Sequence, residues 1–226
     1  MNTGKVIPIA SSGQNSDDAQ AGNVKVTRDD WLTVAMDVLL SDGVEQVKVL
    51  TLGERLNVSR SSFYWYFKSR QHLLDALLDQ WEATNTAALV GQAQAPAATI
   101  TEAVCNVFRC FIDDDLFNTR LDFAVREWAR RSGGVRKRLD RSDEARLDAL
   151  TAMFARHGFD PRDAETRARV LYYMQIGYTF AELNEPLDVR LARVPDYLLA
   201  FTGQRARPGE VDALAAYSRS VMERTR

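Results

Sequence analysis

The sequence predicts an all-α fold: a small N-terminal three-helix unit followed by a larger helical domain. Three observations carry that prediction. From Val44 to Val90 there is one glycine and no proline, and the apolar residues fall in groups three or four apart, the spacing of a helix face. No stretch alternates apolar and polar residues long enough to form a strand. Pro96, Pro161, Pro186, Pro195 and Pro208 punctuate the remainder, mostly where a helix begins or has just ended.

Residues 1–23 are rich in Ser, Gly, Asn, Gln and Asp without periodicity and are expected to form a disordered tail. Folding is expected to start near Val24. Thr27 is placed to cap the first helix, Asp29 and Asp30 favour its dipole, and Trp31, Val34, Ala35, Val38 and Leu39 repeat at helical spacing up to Asp42-Gly43. Two short helices and a tight turn follow. Further helices are expected near 69–90, 97–114, 118–131, 134–157, 161–184, 195–202 and 209–224. The division expected is a tail over 1–23, a helix-turn-helix unit over 24–70 and a C-terminal domain over 71–226.

Composition narrows the class. The chain has 226 residues, 46% hydrophobic and 27% charged, with a formal net charge of -2, values of an ordinary globular protein. The apolar run Val6 to Ala10 is too short for a signal-peptide core, and no stretch reaches the ~18 to 20 apolar residues of a membrane span. The expected location is therefore the cytoplasm, with no membrane partner. Neither His72 nor His157 has a Glu three residues before it, and nucleotide-loop, nucleophile-elbow and Cys-x-x-Cys patterns are absent. No enzyme, cofactor or metal is expected; Asp113-Asp114-Asp115 reads as a solvated helix end.

The segment from Val47 to Leu74 carries the function. Val49, Leu52 and Leu56 form one buried stripe, Asn57 can take the left-handed conformation of a turn, Val58 plugs the corner, and Ser59 can cap the next helix. Phe63 and Phe67, four apart, face inward and turn Arg60, Ser61, Ser62 and Tyr64 outward. Lys48, Arg55, Arg60, Lys68 and Arg70 oppose the single acid Glu54, a local net charge of +4 in a slightly acidic protein. Cations concentrated at a helix end suit a phosphate backbone.

VSRSSFYWYFKSRQHLL, from Val58 to Leu74, resembles the N-terminal DNA-binding region of the TetR family of bacterial transcriptional regulators, whose pattern ends V-S-x-x-x-(F/L)-Y-x-(H/Y)-F-K-(S/N)-(K/R)-x-x-L. Counted from Thr27 the resemblance covers about 50 residues. Departures are Gly53 for the usual alanine, Asn57 for glycine, Tyr66 for the frequent histidine and Lys48 for a capping threonine. The resemblance implies that Arg60, Ser61, Ser62 and Tyr64 approach base edges or flanking phosphates, with Arg60 as the specificity residue. It implies that Lys48, Ser59, Tyr66, Lys68 and Arg70 complete the DNA face, and that Ser69 caps the following helix. Solvated charges are the alternative for Lys68 and Arg70.

The resemblance further implies a homodimer through C-terminal helices, here 161–184 with those after Pro195, on double-stranded operator DNA, an inverted repeat. It also implies a small-molecule effector that releases a repressor from that operator; activation is the other sign. Position and chemistry nominate Phe108, Phe111, Ile112, Trp128, Tyr172, Gln175 and Tyr178 as walls and handles for an apolar or aromatic effector, with packed core as the alternative. A redox-responsive regulator acting through Cys105 or Cys110 is the second reading. Five residues apart on one helix, those cysteines diverge by roughly 140° and do not suit a disulfide with each other.

Overall fold

Thr27 determines where the first helix starts. Its hydroxyl accepts from the Asp30 amide at 3.2 Å while the Asp30 carboxylate takes the Thr27 amide at 2.7 Å, a reciprocal capping box. The computed structural model describes residues 26–181, 183 and 185–224; the expected tail lies outside them. Helices α1 (Arg28–Asp42), α2 (Val49–Arg55) and α3 (Arg60–Phe63) form the N-terminal unit, with a 3-10 turn over Val44–Gln46 after α1. There follow α4 (Arg70–Trp81), a π-helical turn (Glu82–Thr86), α5 (Ala87–Gln94), α6 (Ile100–Arg109), α7 (Thr119–Ala129), α8 (Gly133–Arg156), α9 (Pro161–Phe180), α10 (Leu187–Thr202) and α11 (Glu210–Arg224). The fold is all-α, and no strand occurs among the described residues.

Starts are set by local chemistry. Ser69, Thr99, Asn118 and Ser132 each accept an amide of the first turn of α4, α6, α7 and α8. Asp160 does so for α9, with Pro161 at its first position.

Two helix boundaries differ from those expected. The helix expected over 69–90 is interrupted by the π turn, whose wider winding brings Asn85 fully inside. Asn85 donates to the Asn118 carbonyl at 2.8 Å and accepts its amide at 3.1 Å, pinning the start of α7. Helix α10 starts at Leu187, and Pro195 lies inside it instead of opening it. A proline there costs ~3 kcal/mol. Val194, Leu198 and Phe201, buried on one face on both sides of the ring, offset that cost.

Two cores result. One joins α5, α6, α8, α9, α10 and α11 around Val104, Leu150, Phe154, Leu171 and Leu198. The other joins α1 to α4 around Trp31, Phe63, Phe67 and Trp81, and continues into Leu121, Val125 and Trp128 of α7 and Val135 and Leu139 of α8. Asp113, read as part of a solvated triplet, is buried instead and accepts from Arg224 at 2.8 Å and from the Tyr217 hydroxyl, which ties α11 to the turn after α6.

Candidate nucleic-acid interface and ligand pocket

Leu52 and Gly53 seat α2 against α1, and the chain then reverses through Asn57 at φ 53°, the one non-glycine left-handed residue among those described. The Val58 amide closes the turn on the Gly53 carbonyl at 3.0 Å. A Cβ at Gly53 would stand 3.2 Å from the Val58 carbonyl oxygen and 3.7 Å from the Trp31 ring. Glycine therefore lets the turn at Val58 fold back closely onto α2. Phe63 and Phe67 are fully buried with ring centroids 5.4 Å apart, and Trp31 meets Phe63 edge-on at 5.2 Å. Those rings fix the rotation of α3 and decide what faces outward.

Arg60, Ser61, Tyr64 and Lys68 are exposed on that outer face. Arg60 donates to the Tyr64 hydroxyl at 3.2 Å and stacks its guanidinium over the same ring, so both side chains stand together at one edge. Ser59 occupies the N-cap position of α3 without a side-chain cap; its hydroxyl pairs with that of Ser61 at 2.7 Å. Ser62, expected on the outward face, is instead half-buried with its hydroxyl turned inside. Trp65 is 76% exposed beside them.

The flanking residues are divided. Lys48 is exposed at the start of α2 and donates to Gln46 at 3.2 Å. Tyr66 is half-buried, its hydroxyl donating to the Val26 carbonyl at 2.9 Å. Arg70 turns inward and donates to the carbonyls of Val44 and Val47, closing the 3-10 turn against α4. A further cation not expected from the sequence is Arg28, whose guanidinium lies 5.1 Å over the Phe67 ring and 4.0 Å from Asp29. Its signal was its place directly after the Thr27 cap.

In the helical body, Phe108, Phe111, Ile112, Gln175 and Tyr178 converge from α6, the turn after it and α9 onto one small cavity that opens to solvent. Helix α10 closes it with Arg190, Leu191, Val194 and Tyr197. The other two nominated residues lie elsewhere. Trp128 packs in the core shared with the N-terminal unit. Tyr172 is buried, its hydroxyl donating to Asp143 at 2.6 Å and accepting from Arg126 and Arg146. Burial raises the Tyr172 phenol well above its ordinary value, so it stays protonated.

Around Tyr172 lies a charged cluster that periodicity did not reveal. Arg126 reaches Asp122 at 2.9 Å and both oxygens of Asp143 at 3.0 and 2.7 Å. Arg146 bonds Asp122 and Thr86, and Trp81 donates to Asp122 at 2.9 Å. Burial works to raise the Asp122 carboxyl, but Arg146 and Arg126 outweigh it and hold it below the usual range.

The redox reading is disfavoured. Cys105 and Cys110 are both buried, and burial pushes both thiols up to about 12, leaving almost no thiolate near neutral pH.

Residues 32–77 match the family described as "Bacterial regulatory proteins, tetR family". The chain is 26% identical over 151 residues to the tetracycline repressor protein class A from transposon 1721 of Escherichia coli, covering 67% of this chain and 64% of that protein. It is 26% identical over 165 residues to the class C tetracycline repressor of E. coli, covering 73% and 69%. The fold is similar to the crystal structure of E. coli NemR in its reduced form, with a TM-score of 0.57 at 18% identity over 81% of this chain and 100% of that one. The helix-turn-helix segment thus matches that of the TetR family of bacterial regulatory proteins, and it is mounted on a helical body of the same fold.

Proposed function

We propose that the protein is a cytoplasmic homodimeric repressor that occupies an inverted-repeat operator and leaves it when a small molecule binds. The observation that carries this reading is the cationic edge of Arg60, Ser61, Tyr64 and Lys68, held outward by the buried pair Phe63 and Phe67. Arg60 offers bidentate donors to guanine O6 and N7, serine hydroxyls either donate or accept, and Lys68 and Arg28 neutralise phosphate. Residues 24–70 form the DNA-binding domain in this reading, and 71–226 the effector and dimerisation domain. Arg70 then acts by holding the turn, and the aromatic cavity under α10 takes the effector.

Helix α9 supports the dimer. Val170, Tyr173 and Phe180 recur three and seven apart on the side of α9 away from α8, each about half exposed, and Leu183 continues the stripe. Such an apolar seam suits a two-fold partner, which would set two recognition helices ~34 to 36 Å apart.

Selecting fragments of the source genome with the purified protein and sizing the complex by sedimentation tests the reading. The expected result is a fragment with two inverted half-sites bound by two chains. Indifference to all duplexes in dilute buffer, or binding by a persistent monomer, would overturn it.

A further inference from the structure

We propose that the effector pocket takes an amphipathic carboxylic acid, an aromatic or medium-chain aliphatic body ending in one carboxylate, with Arg190 as the group that recognises the charge. This assignment rests on the reading of the cavity as the effector site. Among the described residues lining that cavity, Arg190 is the single charged side chain; the acid that feels its charge, Glu185, lies outside the lining. Its surroundings are apolar and aromatic, Phe108, Phe111, Leu191 and Val194 among them, with the Gln175 amide as a second donor.

The state of the Arg190 guanidinium favours an anion. It stacks over the Tyr178 ring at 5.6 Å and gives the Phe111 carbonyl a long bond of 3.4 Å, well beyond the usual 2.9 to 3.0 Å. The nearby acid Glu185 accepts from Tyr178 and from Arg193. An arginine has five donors in a planar fork that matches a carboxylate, and most of them are not used by these contacts.

A second arginine lies close by and is ruled out by its bonds. Arg126 lines a smaller cavity that shares Phe111 with this one. Its donors are spent on Asp122, Asp143 and Tyr172, and two carboxylates beside it would repel an incoming anion. Arg190 is therefore the cation a ligand would meet.

Titration calorimetry on the full chain with matched probes tests this: octanoate against octanamide, and 4-phenylbutanoate against 4-phenylbutanamide, near neutral pH. The expected result is carboxylate binding about tenfold or more tighter than amide binding, with carboxylate displacing amide from a shared site. In Arg190→Gln the preference should collapse to near unity through lost carboxylate affinity, and Arg190→Lys should keep part of it. Melting curves confirm that both variants fold. Equal affinity for acid and amide in the wild type, or a preference that survives Arg190→Gln, would overturn the acid assignment and leave the pocket standing. Binding of neither series would overturn the pocket reading together with it.

Discussion

The guanidinium of Arg146, without exposed surface, meets the carboxylate of Asp122 at 2.8 Å. This pair joins α8 to α7. Because Trp81 also donates to Asp122 and its ring lies 5.1 Å from the Arg146 guanidinium, the last residue of α4 is tied to the same point. Helix α4 starts at the Ser69 cap beside the exposed edge of Arg60, Tyr64 and Lys68, so one rod runs from that edge into a buried charged cluster.

Removing the cation should be severe. Arg146→Met leaves Asp122 buried with less compensation and is expected to cost about 3 to 5 kcal/mol of stability, read by urea denaturation.

The same cluster predicts acid sensitivity. Because the folded carboxyl of Asp122 is held low, its stabilisation is complete above the unfolded value of ~3.9 and is lost as pH falls through the lower folded value. Melting temperature followed from pH 5 downward should fall on this account, and Asp122→Asn should remove that part of the slope.

On DNA, Arg60→Ala should relax base preference and cost about 1 to 3 kcal/mol on the selected operator, while Lys68→Ala weakens all sequences alike and flattens the salt dependence. Competition on a base-substituted panel separates the two. Unchanged preference in Arg60→Ala would remove that residue from the specificity role.

Within the turn, Gly53→Ala gains up to ~1 kcal/mol of helix propensity but pushes a methyl to 3.2 Å from the Val58 carbonyl, so its net effect should stay well below that figure. Asn57→Ala should cost ~1 kcal/mol or more because alanine resists φ 53°, and Asn57→Gly should be close to neutral. Thermal melting of the three variants checks the order.

Much of this was legible in the sequence because turn chemistry is local. Thr27, Asn57, Ser69, Phe63 and Phe67 do what their spacing implies, and five of seven nominated pocket residues meet because helical period and aromatic content place them together. Long-range partners left no such trace. Nothing in the spacing of Asp122, Arg126, Asp143 and Arg146 announces that α7 and α8 bring them together around Tyr172 of α9. Arg70 reads as a free cation until the carbonyls of Val44 and Val47 stand within reach. Pro195 marks a helix start only when burial on both sides of it is unknown.

The second core has a practical outcome for protein engineering. Since Trp128 and Leu121 belong to the same apolar core as Trp31 and Phe63, a chimera that swaps in a relative's recognition segment alone would set foreign side chains on an unmatched platform. Grafts between family members should therefore carry the facing surface of α7 and the first turns of α8 along with the donor's head.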